Sequence, residues 1–157
     1  MRSTSILPKG GWDTAREVDF VLVDYDRRHR RRIVLPTEAG AEVLLDLPQA
    51  ARLRDGDGLV LEDGGIVRVW ARAETLAQIH THDEGDLIRI AWHLGNRHLP
   101  VQLWGEHIRI RADHVIEAMV EGLGGHVERI EAPFDPEAGA YAGGGHHHHH
   151  GENGHEH

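Results

Sequence analysis

DEGDLIRIAWHLGNRHLPVQLWGEHIRIRADHVIEAMVEGLGGHVERIEA, residues 83–132, is the stretch whose reading decides the fold. Its last third is the clearest. From 113 to 125, Ile116, Met119, Val120 and Leu123 recur at helical spacing and form one apolar stripe. Asp113 suits the N-cap, where a carboxylate accepts from free backbone N–H groups, and Gly124-Gly125 can close the helix. Residues 83–98 repeat the pattern with Leu87, Ile90, Ala91 and Leu94, and Gly95 lies near the end. Between the helices, LPVQLW and HIRIRA flank Gly105-Glu106 and predict a hairpin. HVERIEA (126–132) predicts a closing strand and ETLAQIHT (74–81) an opening one. The order β-α-β-β-α-β is the ferredoxin-like plan.

Outward from that stretch, the first half reads as β. EVDFVLVDY (17–25), RRIVLP (31–36), EVLLDLP (42–48), GLVLEDG (58–64) and IVRVWA (66–71) are short runs punctuated by Gly, Asp and Pro, which suits a small barrel or sandwich. Asp63-Gly64-Gly65 predicts a tight hairpin turn. On the other side, the chain ends in GGGHHHHHGENGHEH, with no apolar periodicity. The expected class is therefore α+β. A small all-β domain spans 1–72, a ferredoxin-like domain spans 73–142, and a disordered His-rich tail spans 143–157.

The 157 residues fit one ordinary domain or two small ones. No cysteine is present, so disulfides and thiolate ligands are excluded, and a metal site must use imidazole, carboxylate, backbone or water. The net charge of −9 is unevenly placed. Residues 1–72 hold 12 Lys/Arg and 12 Asp/Glu, whereas residues 73–157 hold 5 and 14. An acidic, His-rich half disfavours nucleic acid and attracts cations. No stretch approaches the roughly 20 apolar residues of a membrane span. MRSTSILPKGGWD lacks the apolar run of a signal peptide, so a cytoplasmic protein is expected.

Histidine carries most of the chemistry. His98 follows Gly95, where the chain leaves the helix, and could point outward as a ligand; a surface or capping role is the plainer alternative. His93 lies five residues away, off the same helical face. His114 opens the second helix, where the positive end of the macrodipole favours neutral imidazole, the metal-binding form. His80 and His82 share a strand face, but a polar strand end explains them as well. DRRHRRRI (26–33) could bind phosphate or RNA, yet it contains no aromatic residue and reads as a solvated hairpin, an edge strand or a docking surface. The tail histidines, His146, His147, His148, His149, His150, His155 and His157, would favour Ni, Cu and Zn over Mg or Ca. Read alone, they are either an added purification handle or a native metal tract. No nucleophilic triad, phosphate loop or paired catalytic carboxylates are legible.

AWHLGNRHLPVQL, DHVIEAMVEGLGGHV and APFDPEAGAYAGGGHHHHH together resemble urease accessory protein E (UreE), a nickel metallochaperone family. The resemblance is strong over 85–157 and looser over 1–72, where DYDRRHRRRIVLPTEAG and LRDGDGLVLEDG resemble the family's β domain. It implies a non-enzymatic carrier of Ni(II) for apo-urease, with Zn(II) or Cu(II) able to bind in vitro. It implies a homodimer in which His98 of both subunits holds the ion, and a native His tail adding further sites. It implies docking to the urease accessory GTPase and to the complex of apo-urease with its accessory proteins, with no nucleic acid or membrane partner. The family's first half resembles a peptide-binding domain of Hsp40-type chaperones. Some members carry His-x-His at the start of the second helix; here Ala112 takes the first place, so His114 is at most one ligand. Because protons compete for imidazole nitrogen, metal binding should weaken below about pH 6. A nickel or zinc storage protein without a transfer partner is the alternative.

Overall fold

The computed structural model describes residues 1–138; the predicted tail, with all seven of its histidines, lies outside them. Strands β1 (Arg2–Leu7), β2 (Glu17–Val23), β3 (His29–Pro36), β4 (Glu42–Arg52), β5 (Gly58–Leu61) and β6 (Ile66–Ala71) form one sheet in the order β2-β6-β5-β1-β4-β3. The pairs β1/β4 and β2/β6 are parallel, and the rest are antiparallel. The edge strands β2 and β3 do not pair with each other. Even so, Val21 and Val23 from one edge share a buried cluster with Leu35 from the other, beside Leu45, Leu59 and Val69. The two edges of the sheet therefore close over a single core.

Two features of this sheet depart from the sequence reading. β1 was not foreseen, because RSTSIL buries only Ser3, whose hydroxyl donates to Ser5 O at 3.0 Å. β3 and β4 extend beyond the predicted runs, and their ladder breaks between Arg30 and Arg32. Pro48 falls on the strand opposite that break, where its missing N–H takes nothing from the ladder.

The second unit contains β7 (Ala73–His80), α1 (Glu84–Asn96), β8 (Gln102–Trp104), β9 (His107–Arg111), α2 (His114–Gly122) and β10 (His126–Pro133). Its antiparallel sheet runs β10-β7-β9-β8. Both helices cover one face. Ala77, Ile79, Ile108 and Ile110 from the sheet meet Ile90, Leu94, Ile116 and Val120 from the helices. Each fully buried Val, Leu or Ile contributes about 1.5–3 kcal/mol. The predicted caps are in place: Asp83 accepts from Gly85 N at 2.7 Å, and Asp113 accepts from Val115 N at 2.9 Å and Ile116 N at 3.1 Å. Among the described residues, no helix is long and apolar enough to cross a membrane.

After β10 the chain crosses back to the first unit. Phe134 is buried, and its ring lies 5.2 Å from that of Tyr25. Arg28, from the basic run, is fully buried beneath this strap. Its guanidinium donates to Phe134 O and, at 3.3 Å, to Asp135 Oδ1. Arg54 donates to Pro136 O at 2.6 Å and pairs with the same Asp135 oxygen at 3.3 Å. Burial lowers the Arg28 pKa and raises that of Asp135. The rest of the basic run is also engaged by the chain itself: Arg27 by Val34 O, Arg30 by His29 O, Arg31 by Leu47 O, and Arg32 by Asp46.

Candidate metal centre

The two helices end with the same hydrogen bonds and different residues. At α2, Gly124 N donates to Glu121 O at 3.1 Å and Gly125 N to Val120 O at 3.0 Å. At α1, His98 N donates to Gly95 O at 3.0 Å and Leu99 N to Leu94 O at 3.3 Å. Both are Schellman closures, which require a left-handed residue just past the cap. In α2 that residue is Gly124, at φ 94°; in α1 it is His98, at φ 58°. Among the described residues, His98 is the only non-glycine with positive φ. An L-residue with a Cβ is disfavoured in that region by roughly 1–2 kcal/mol. The sequence places Gly95 near the helix end, but Gly95 remains inside the last turn and His98 makes the stop.

The closure turns the chain sharply and leaves the His98 ring exposed. It lines a cleft of about 710 Å³ between the two units, together with Tyr25, His29, Arg52, Pro136 and Glu137. His29 belongs to the basic run, and nothing local signals its place on the cleft that His98 lines. Its Nδ1 lies 3.3 Å from an Arg52 guanidinium nitrogen. Residues 136–138, the last described ones, form a wall of the cleft that His98 lines.

His114 is exposed at the first turn of α2, and its Nδ1 lies 3.5 Å from an Arg129 guanidinium nitrogen. Arg129 is itself held by Glu117 at 3.0 Å. A fixed cation beside the ring opposes a second cation there. The residues flanking the two histidines, Leu99-Pro100 and Ala112-Asp113, border one groove of about 280 Å³, but neither ring lines it. His93 is half-buried against Trp92, with ring centres 5.0 Å apart. Among the described residues, no three His, Asp or Glu side chains converge on one ion-sized point. Exposed apolar groups occur on the same elements: Ile88 (68% exposed) and Trp92 (63%) lie one turn apart on α1, and Val115 (72%) lies on α2.

Two family models match the chain. The "UreE urease accessory protein, C-terminal domain" covers residues 74–157, and the "UreE urease accessory protein, N-terminal domain" covers 4–72. A urease accessory protein UreE from Bradyrhizobium sp. (strain ORS 278) is 56% identical over 142 residues, 90% of this chain and 67% of the relative. One from Beijerinckia indica subsp. indica is 47% identical over all 157 residues and 87% of its own length. One from Chelativorans sp. (strain BNC1) is 45% identical over 157 residues and 97% of its length.

Proposed function

The chain belongs to the UreE family of urease accessory proteins, and on that premise we propose that it carries Ni(II) to apo-urease as a homodimer in the cytoplasm. It is an accessory protein of urease maturation, not an enzyme. In this reading His98 of each copy gives one imidazole to a shared ion. Two imidazoles bind weakly and leave coordination positions open, which suits an ion that must leave again. The tail histidines, His146 to His150 with His155 and His157, collect metal and pass it to the His98 pair, and His114 serves at most as an accessory donor. Cu(II) and Zn(II) bind the same donors in vitro, so selectivity for nickel comes from availability and docking. The accessory GTPase and the apo-urease complex receive the ion.

The observation that carries this reading is the backbone of His98. A histidine occupies the one helix stop where glycine would be more stable, and its ring is exposed. Strain of this kind is retained where the side chain is needed. Three further features support it. The cleft beside His98 is walled by the chain that leads into the tail, so tethering gives the tail imidazoles a high local concentration there. The exposed Ile88 and Trp92 on the helix that ends at His98 suit a face between two copies. The βαββαβ order with sheet order β10-β7-β9-β8 supports a ferredoxin-like reading of residues 73–142, with residues 1–72 as a separate partner-docking domain.

Nickel per chain, measured by equilibrium dialysis with elemental analysis, tests the proposal. The full chain and a chain ending at Ala142 are each compared with their His98→Ala versions. One ion per pair of shortened chains, lost on substitution, is the expected result, with additional ions on the full chain. A shortened chain that binds none would make the tail the sole binder, and storage or buffering would replace delivery.

A further inference from the structure

Strand register assembles a second group of histidines far from His98. Successive residues of a strand point to opposite faces. On β7, Ala77 and Ile79 face the helices, so Gln78 and His80 face the other way. On β9, Ile108 and Ile110 face the helices, so His107 and Arg109 do not. On β10, Val127 packs toward the helices, and His126 and Glu128 lie on the helix-free face. His126 pairs with His80, and the Ile79–Ile108 pairing brings His107 level with His80 on its other side. Three imidazoles therefore stand in a row across three adjacent strands. Ring centres are 5.1 Å apart for His80–His126 and 5.9 Å for His80–His107. His82, two residues past His80, lies edge-on to His126 at 4.7 Å.

We propose that His80, His107 and His126, with His82 at the rim, form a separate site for a borderline transition-metal dication. Imidazoles bound to one ion at about 2.0–2.1 Å in tetrahedral geometry hold their ring centres roughly 5 Å apart. Neighbouring rings of the row already have about that spacing, whereas His107 and His126 stand two strand spacings, about 10 Å, apart. In the metal-free arrangement His80 and His126 stack and His107 is tilted to His80, and the ion closes the site by turning the two outer rings inward about their side-chain torsions. Nothing holds them back: none of the four rings has a hydrogen bond to another described residue, and His82 and His126 are exposed. The nearest cation on this face is drawn aside, because Arg109 donates to Gln78 Oε1 at 2.8 Å and lies over Trp104 at 4.2 Å. Glu128 follows His126 on the same face and adds negative charge. An all-imidazole set selects Zn(II), Ni(II) or Cu(II) over Mg(II) or Ca(II). The site cannot share an ion with His98. His82 precedes α1 and His98 follows it, and the 13 residues of α1 span about 20 Å at 1.5 Å each.

Site-resolved acylation of histidine by diethylpyrocarbonate on the full chain, read by peptide mass spectrometry, tests this with Zn(II) as the probe. At saturating Zn(II), labelling of His80, His107 and His126 should slow severalfold, while Mg(II) has no effect and a chelator restores the rate. In His126→Asn, labelling of His80 and His107 should stay near the metal-free rate even with Zn(II). His107→Asn gives the reciprocal test through His126. His98 and the tail peptides are read in the same digest, so failure there is distinguishable from failure here. Labelling of the three histidines that does not respond to Zn(II) would overturn the proposal. Protection that persists in both variants would do the same.

Discussion

Replacing His98 with glycine should make the metal-free protein more stable and remove the proposed interfacial nickel site. His98 sits at φ 58°, where a Cβ is disfavoured by roughly 1–2 kcal/mol. Glycine removes that penalty but adds unfolded-state entropy worth about 0.4–1 kcal/mol. Among the described residues, the ring has no hydrogen-bond partner that would offset the gain. The net expectation is stabilisation of about 0–1.6 kcal/mol, at about 2–4 °C of Tm per kcal/mol for a chain of this size. His98→Ala loses the same imidazole but keeps the Cβ, so it should be no more stable than the parent. Urea unfolding of the three proteins at one matched concentration, without metal, gives the order Gly above His, and His at or above Ala. With Ni(II) at about 100 times its dissociation constant the parent should gain about 2.7 kcal/mol. Neither variant should gain that share. A His98→Gly protein less stable than the metal-free parent would refute the claim that this backbone is strained for the sake of its side chain.

Two other perturbations test the framework that holds the site. Arg28→Lys should destabilise the fold by about 3 kcal/mol or more, because a lysine cannot reach both Phe134 O and Asp135 from a fully buried position; a urea midpoint within error of the parent would contradict this. The Arg2 hydrogen bond, followed by the charges of Arg32 and Arg31, holds Asp46 below the usual carboxylate range. Its stabilising contribution is therefore present above about pH 3.9 and is lost as pH falls through the depressed value. Asp46→Asn should be destabilising at neutral pH and approach the parent at about pH 2; an offset independent of pH would count against the ion pairs.

The sequence made the second unit legible because local chemistry and tertiary packing agree there. Asp83 and Asp113 cap as their side chains dictate, and Gly124 closes α2 as a glycine should. β1 was hidden because its burial is conferred by β4 and β5 rather than by its own alternation. Arg28 was hidden because the five arginines between residues 27 and 32 look equivalent until a strap from residue 134 covers one of them. At the candidate metal centre, His98 was legible as a residue leaving a helix, but its left-handed backbone was not. The available signal was the missing glycine at the position after the cap. His80 and His82 were visible as neighbours. His107 and His126 join them only through strand register, which spacing along the chain does not encode.

The buried strap also has a consequence for synthesis. Arg28 enters the growing chain 106 residues before Phe134. At about 5–20 residues per second, the Arg28 guanidinium waits several seconds with only Asp24 O, 3.3 Å from its Nε, as an acceptor in the chain already made. Until the strap arrives, water serves the rest of the group. A chain cut short before β10 ends would leave Arg28 hydrated and without the acceptors on Phe134 and Asp135. Only a chain translated through Asp135 gives the two terminal nitrogens of Arg28 their acceptors, so completion of the second unit adds to the stability of the unit made first.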